Sequence, residues 1–182
     1  LVLQKVPDQV DGMQLLGAVL SQTGRYADAV KLLRKAVEQA PGHAHLHNSL
    51  GIALHRLQKP DEAVLEFNRA LEIRPDFAKA HNNLGVALMK LNRMNEAITA
   101  CKQAIRLQID FKEAYNNLGL ALKKKGDLEN AIVSYKKAVN LDPKYAEALS
   151  NLGIALIAQG KLKEAAWNLQ KAVSLVPNSA EF

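Results

Sequence analysis

Apolar residues along this chain fall at helical rather than alternating spacing. Over residues 78–91, Leu84, Val86, Leu88 and Leu91 fit one helix, and Asn92-Arg93 then breaks the run. A second helix is expected over about 95–108, with the acidic Glu96 in its first turn, where a carboxylate offsets the positive end of the helix dipole. This two-helix pattern recurs. Gly17, Gly51, Gly85, Gly119 and Gly153 stand 34 residues apart, each behind a leucine (Leu16, Leu50, Leu84, Leu118, Leu152). Twelve residues after each glycine comes Ala29, Ala63, Ala97, Ala131 or Ala165, and nineteen after it Ala36, Ala70, Ala104, Ala138 or Ala172. Twenty-four after it stand Pro41, Pro75, Pro143 and Pro177, with Ile109 in the remaining place.

The frame divides the chain into five units: 10–43, 44–77, 78–111, 112–145 and 146–179. Pro7 lies 34 residues before Pro41, so residues 1–9 read as the tail of a preceding unit, 1–6 closing its second helix. Residues 180–182 read as the start of a further unit, and the chain as a segment of a longer array. The helix breaker is Gly24, Gln58, Asn92, Gly126 or Gly160. Glycine or asparagine suits the left-handed residue after a helix C-terminus. Gln58 suits it less, and Pro60 is expected to do the stopping there. Where Ile109 replaces proline, the second helix of the third unit is expected to run on and to change the junction with the fourth.

Glycine and alanine in these columns let paired helices approach closely. The fillers Leu33, Phe67, Cys101, Tyr135 and Leu169, sixteen residues after each glycine, occupy the space between them. Cys101 in that column reads as a small buried hydrophobe rather than a nucleophile.

The period and the small-residue skeleton resemble the tetratricopeptide repeat (TPR) family over the whole chain. The family's aromatic positions are not kept: the first-helix aromatic column here reads Met13, His47, His81, Tyr115, Leu149. The column three after the glycine is leucine throughout (Leu20, Leu54, Leu88, Leu122, Leu156). With Asn-Leu-Gly at 83–85, 117–119 and 151–153, the array looks most similar to the TPR regions of O-linked N-acetylglucosamine transferases and related bacterial proteins. The resemblance implies an all-α fold, an α-solenoid of helix-turn-helix repeats in a right-handed superhelix, with first helices lining the inner wall.

Charge and composition narrow the partners. Lys and Arg total 24 against 18 Asp and Glu, a formal net charge of +6, which favours acidic partners through long-range steering. The basic residues are scattered over every repeat without an arginine-rich block or aromatic interleaving, so nucleic acid is not the expected partner. No apolar run approaches the ~20 residues a membrane helix needs, and no charged-then-apolar opening suggests a secretory signal. One cysteine excludes an internal disulfide framework and fits a reducing, cytoplasmic setting.

The first helix as a wheel places positions −6, −2, +1 and +5 relative to the glycine on one stripe away from the leucine–glycine side. The +1 column is apolar: Ala18, Ile52, Val86, Leu120, Ile154. Asn83, Asn117 and Asn151 border it at −2, and Asn48, Asn82 and Asn116 at −3. An amide carries both donor and acceptor, so it can pair with the backbone of an extended peptide of any sequence while the apolar seam takes side chains. Arg56, Lys79, Lys90, Lys123 and Lys124 stand around the seam and would favour an acidic segment. The expected function is a non-catalytic scaffold holding peptides in the concave groove. The same side chains could instead pack and bond between adjacent first helices.

Other chemistry is not expected. A carboxylate clamp of the kind some TPR domains use needs asparagine in the +1 column, which is apolar here. His43, His45 and His47 alternate, so they cannot converge on a metal from one helix face. No cofactor-binding or catalytic motif is present, every glycine of the 34-residue column being a repeat position. Two other readings remain: the substrate-recognition arm of a larger glycosyltransferase-like enzyme, and self-association through exposed repeat ends, for which Trp167, Leu169, Val173 and Val176 are the candidates.

Overall fold

A computed structural model of the chain describes residues 6–175, and side chains from residue 9. The described residues form ten α-helices and no strand: α1 (Val6–Gln22), α2 (Tyr26–Gln39), α3 (Ala44–Arg56), α4 (Pro60–Ile73), α5 (Ala78–Lys90), α6 (Met94–Leu107), α7 (Lys112–Lys125), α8 (Leu128–Leu141), α9 (Ala146–Ala158) and α10 (Leu162–Leu175). They belong to two compact units, residues 1–92 with α1–α5 and residues 93–182 with α6–α10.

In the first unit, α1 packs on α2 and α3 on α4, while α3 also sits on α2 and α1, and α5 on α4 and α3. The second unit repeats the rule: α7 packs on α8 and α6, and α9 on α10, α8 and α7. Within each unit a helix pair thus covers the apolar face of the pair before it, as stacked repeats must to bury a continuous core.

The small columns set the spacing. A Cβ on Gly51 would stand 2.6 Å from the Phe67 ring, one on Gly119 2.6 Å from the Tyr135 ring, and those on Gly17 and Gly153 2.7 and 2.6 Å from Leu33 and Leu169. Leu33, Phe67, Cys101 and Tyr135 are at most 1% exposed, as are Ala29, Ala63, Ala97, Ala131 and Ala165. Between repeats, Phe77 closes the joint with Ala44, Ala70 and Ala80. Burying a ring of that size contributes roughly 1.5–3 kcal/mol.

All five breaker residues adopt positive φ: Gly24 (78°), Gln58 (61°), Asn92 (61°), Gly126 (92°) and Gly160 (77°). Gln58 therefore does stop its helix in the left-handed conformation, contrary to expectation. Pro60 is instead the first residue of α4, where its missing N–H costs nothing.

The expected extension at Ile109 does not occur. α6 ends at Leu107, and its capping residue Gln108 has φ −139° and ψ 98°, close to −141° and 98° at Asp142, which precedes a proline. Phe111 supplies the reason: it is buried, and its N–H donates to the Gln108 carbonyl, so the packing of the next helix fixes the exit without proline.

At the start of the chain, α1 already includes Val6 and Pro7, so residue 6 opens a first helix rather than closing a second; the rest of the expected tail lies outside the described residues. At the other end, Trp167 is 58% exposed, yet its column is equally exposed within the array, at Leu65 (52%) and Val133 (56%). Its exposure comes from the face it occupies, not from the end of the array. Val173 differs, being 74% exposed where Leu71 and Val139 are half-buried. Val176 lies outside the described residues.

Candidate functional site

The asparagine columns divide into two roles. In the first unit, Asn83 Nδ2 donates to Asn48 Oδ1 at 3.0 Å. In the second, Asn151 Nδ2 donates to Asn116 Oδ1 at 2.9 Å, and Asn116 Nδ2 donates to Glu147 Oε1 at 3.0 Å. Each asparagine–asparagine bond spans 35 residues, so the −2 amide of one repeat reaches the −3 amide of the repeat before it. Asn48, Asn82 and Asn116 are 8%, 7% and 0% exposed, whereas Asn83, Asn117 and Asn151 are half-buried. The six asparagines therefore do not form one polar border, as the sequence alone suggested. The −3 set is buried between repeats, with Asn48 and Asn116 holding Asn83 and Asn151 in place. A primary amide has two N–H groups and an accepting oxygen, so one such bond leaves Asn83 and Asn151 able to bond a ligand.

Beside the −2 amides, Ile52, Val86 and Leu120 are half-buried and Ile154 is 44% exposed. Arg56, Lys79, Lys90 and Lys124 are exposed and Lys123 half-exposed. In the first unit this face opens into a cleft of about 420 Å³ between α1 and α3, lined by Ala18, Ser49, Ile52, Arg56, Tyr26 and Gln22 among others. Sequence reasoning placed Ile52 and Arg56 there and missed Tyr26 and Ser49. Ser49 occupies the −2 column and was legible as a substitute for asparagine. Tyr26 opens a second helix, so no first-helix pattern could find it.

Family comparison agrees with this geometry. Residues 15–77, 78–111 and 146–175 match descriptions of the tetratricopeptide repeat, and residues 121–160 match that of the TPR repeat. The chain is built from tetratricopeptide repeats. Among solved structures, the array is similar to pilF of Pseudomonas aeruginosa, with a TM-score of 0.87 at 22% identity over 97% of this chain and 81% of that one. A thermophilic TPR protein of Thermus thermophilus, TTC0263, gives 0.82 at 22% identity, with 93% of each chain covered. YrrB, described as a TPR protein with an unusual peptide-binding site, gives 0.70 at 21% identity over 97% of this chain and 94% of that one. At such identities the likeness is one of fold. No curated protein matches the chain significantly. These matches carry no specific likeness to O-linked N-acetylglucosamine transferases.

The other singled-out residues of the TPR array are placed by packing and hydrogen bonds, except that the buried His43 Nδ1 has no hydrogen-bond partner. His47 is buried, with Nδ1 2.7 Å from Glu66 Oε2 and Nε2 2.9 Å from the Pro41 carbonyl oxygen, so neither nitrogen is left for a metal. Arg69 Nη1 donates to the other Glu66 oxygen at 2.8 Å. His45 meets the Phe77 ring edge-on at 4.7 Å, and burial, then the Arg74 charge, holds its pKa below the ordinary value. The Cys101 thiol is pushed up to about 12 by burial, which removes the thiolate that nucleophilic chemistry requires.

Proposed function

We propose that this TPR array is a non-catalytic protein-interaction scaffold whose first-helix face holds an extended segment of another polypeptide. The observation that carries the reading is the pairing of Asn83 with Asn48 and of Asn151 with Asn116. Each bond holds a −2 amide beside apolar +1 side chains, so a donor and acceptor for a peptide backbone stand next to surface that takes its side chains. Each amide contributes only about 0.5–1.5 kcal/mol net, so recognition requires several repeats acting together. The exposed cations Arg56, Lys79, Lys90 and Lys124 favour an acidic segment. Similarity in fold to YrrB, with its described peptide-binding site, adds support. The single cysteine, reduced and buried, is the feature that favours a cytoplasmic setting for the scaffold. No helix among the described residues is long and apolar enough to cross a membrane.

The experiment is binding to an array of synthetic extended peptides. Replacing Asn83, Asn117 and Asn151 together with alanine removes the exposed amides but also the inter-repeat bonds. A second variant, Val86→Lys with Leu120→Lys, therefore blocks the apolar column and keeps every asparagine. Both variants are expected to lose peptide binding, the second with an unchanged helical circular dichroism spectrum. Unchanged affinity in the lysine variant would rule out this face as the site.

The alternative of a substrate-recognition arm for a glycosyltransferase-like enzyme rests on the recurring Asn-Leu-Gly alone. A catalytic domain encoded in the same gene supports it, and a product made only of repeats dismisses it. Self-association is favoured only by the exposure of Val173, and a concentration-independent sedimentation profile excludes it.

A further inference from the structure

A second cleft, of about 800 Å³, lies on the second-helix side of the second unit, between α8 and α10. Its floor is apolar: Leu152, 3% exposed, with Val139 and Pro143 beside it. Trp167 forms a wall, and Lys136, Lys163 and Lys171 stand around the rim. The Lys171 ammonium sits 4.9 Å from the centroid of the Trp167 ring. Glu164 is the one acid in the lining, 3.7 Å from Lys136, which leaves Lys163 and Lys171 as the excess positive charge of the rim.

The fold does not require this set. Ten residues after the repeat glycine the column reads Ala27, Asp61, Asn95, Glu129 and Lys163, so only the fifth repeat places a cation there. Fourteen after it the column reads Lys31, Leu65, Thr99, Val133 and Trp167, so only the fifth repeat places an aromatic ring. The two departures adjoin the same cleft. At the equivalent place in the first unit, Asp61 stands where Lys163 would and Leu65 where Trp167 would, while the Arg34–Glu62 pair matches Lys136–Glu164. Trp167 is as exposed as Leu65 and Val133 in its column, but it alone there presents a ring, and tryptophan is among the residues enriched in binding hot spots.

We propose that this cleft is a second protein-docking site, separate from the first-helix face, that takes an acidic segment with a leucine-sized apolar side chain. The apolar side chain enters between Trp167 and Leu152, and the flanking carboxylates meet Lys136, Lys163 and Lys171. Charge complementarity selects the occupant, since three ammonium groups ring an apolar floor of side-chain dimensions. Nucleic acid fits less well. There is one aromatic ring rather than a series of stacking platforms, and Lys171 already lies over that ring.

Trp167 is the only tryptophan in the chain, so its fluorescence reports on its own surroundings: this cleft and the smaller cavity it shares with Gln170, Lys171 and Ser174. The probe is an acetylated, amidated octapeptide of alternating Asp-Glu pairs and leucines, titrated against the intact chain. Matched peptides carry lysine for every acid, or serine for every leucine. The acidic leucine peptide is expected to shift Trp167 emission, and to bind more weakly as salt rises. Lys163→Glu with Lys171→Glu should weaken it by about tenfold or more, at an unchanged circular dichroism spectrum. The Val86→Lys, Leu120→Lys variant should bind it normally, which separates this site from the first-helix face. No emission change with the acidic peptide overturns the proposal, as does equal binding of the lysine or serine peptide. Tighter binding of an oligothymidylate than of the acidic peptide would assign the cleft to nucleic acid instead and overturn it too.

Discussion

Substituting alanine for Gly119 tests the claim that the glycine column sets the distance between paired helices. The new Cβ would lie 2.6, 2.7 and 2.9 Å from Cε1, Cδ1 and Cζ of Tyr135, against a comfortable carbon–carbon contact of about 3.5–4.0 Å. Tyr135 is fully buried, so its ring cannot swing aside and α7 must move away from α8. Overpacking of this kind costs about 1–3 kcal/mol, and three contacts below 3.0 Å with a rigid ring argue for the upper end. Alanine in a helix interior returns about 1 kcal/mol, leaving a net loss of about 2 kcal/mol. Gly12 is the control. It lies in α1 with nothing within 4 Å of an added methyl, so Gly12→Ala should stabilise by up to about 1 kcal/mol. The same chemical change thus takes opposite signs at two helical glycines. Urea unfolding followed by far-ultraviolet circular dichroism measures both. In a Tyr135→Ala background the ring is gone, and Gly119→Ala should become stabilising by about 1 kcal/mol. A Gly119→Ala protein as stable as the parent, or a penalty that persists without the ring, would refute the reasoning.

Three further outcomes follow from particular residues. Gln58 holds φ 61°, a conformation that costs a side chain about 1–2 kcal/mol, so Gln58→Gly should stabilise by about 0.5–1 kcal/mol after glycine's entropic penalty; a neutral or negative effect in the same urea assay counts against it. The Tyr135 hydroxyl is buried without a hydrogen-bond partner, so Tyr135→Phe should be neutral or stabilising by up to about 1 kcal/mol, and a loss of stability would reveal a partner for it. Burial, then the charges of Arg56 and Lys90, holds the His55 pKa below 6.5, and burial with Arg74 does the same at His45. The unfolded chain therefore takes up these protons first, so their contribution is complete above about 6.5 and is lost as pH falls below it. Melting temperatures should drop on acidification through that window, and His45→Gln with His55→Gln should flatten the drop.

The fold was legible because its requirements repeat. A glycine, two alanines and a filler at constant offsets state a helix–helix distance five times over, and Leu33, Phe67, Tyr135 and Leu169 meet their glycines as that spacing implies. What the sequence concealed was which of several sufficient causes acts at a given place. Ile109 removes a proline and the helix stops anyway, because Phe111 is anchored by packing. Gln58 is a poor left-handed residue and adopts that state anyway, in a turn closed by the Lys59 N–H donating to the Leu54 carbonyl at 2.9 Å. The site was harder to read for a related reason. Helix periodicity places −2 and −3 on neighbouring parts of one surface, and only the packing of the next repeat decides which of the two is covered.

That division of labour ties binding to stacking. Asn83 and Asn151 are half-buried and bonded to Asn48 and Asn116 of the repeat before, so each of these two amides is held by a bond that also joins two repeats. A ligand bonding to them would find those side chains already immobilised, and would lose less side-chain entropy on binding than with free amides. The converse also holds. An Asn48→Ala change, at a residue too buried for extensive ligand contact, should weaken peptide binding by releasing Asn83, while Asn48→Asp, which keeps an acceptor for the Asn83 N–H, should retain most of it. A groove whose affinity is indifferent to Asn48→Ala but sensitive to Asn83→Ala would show that the inter-repeat bond plays no part in recognition.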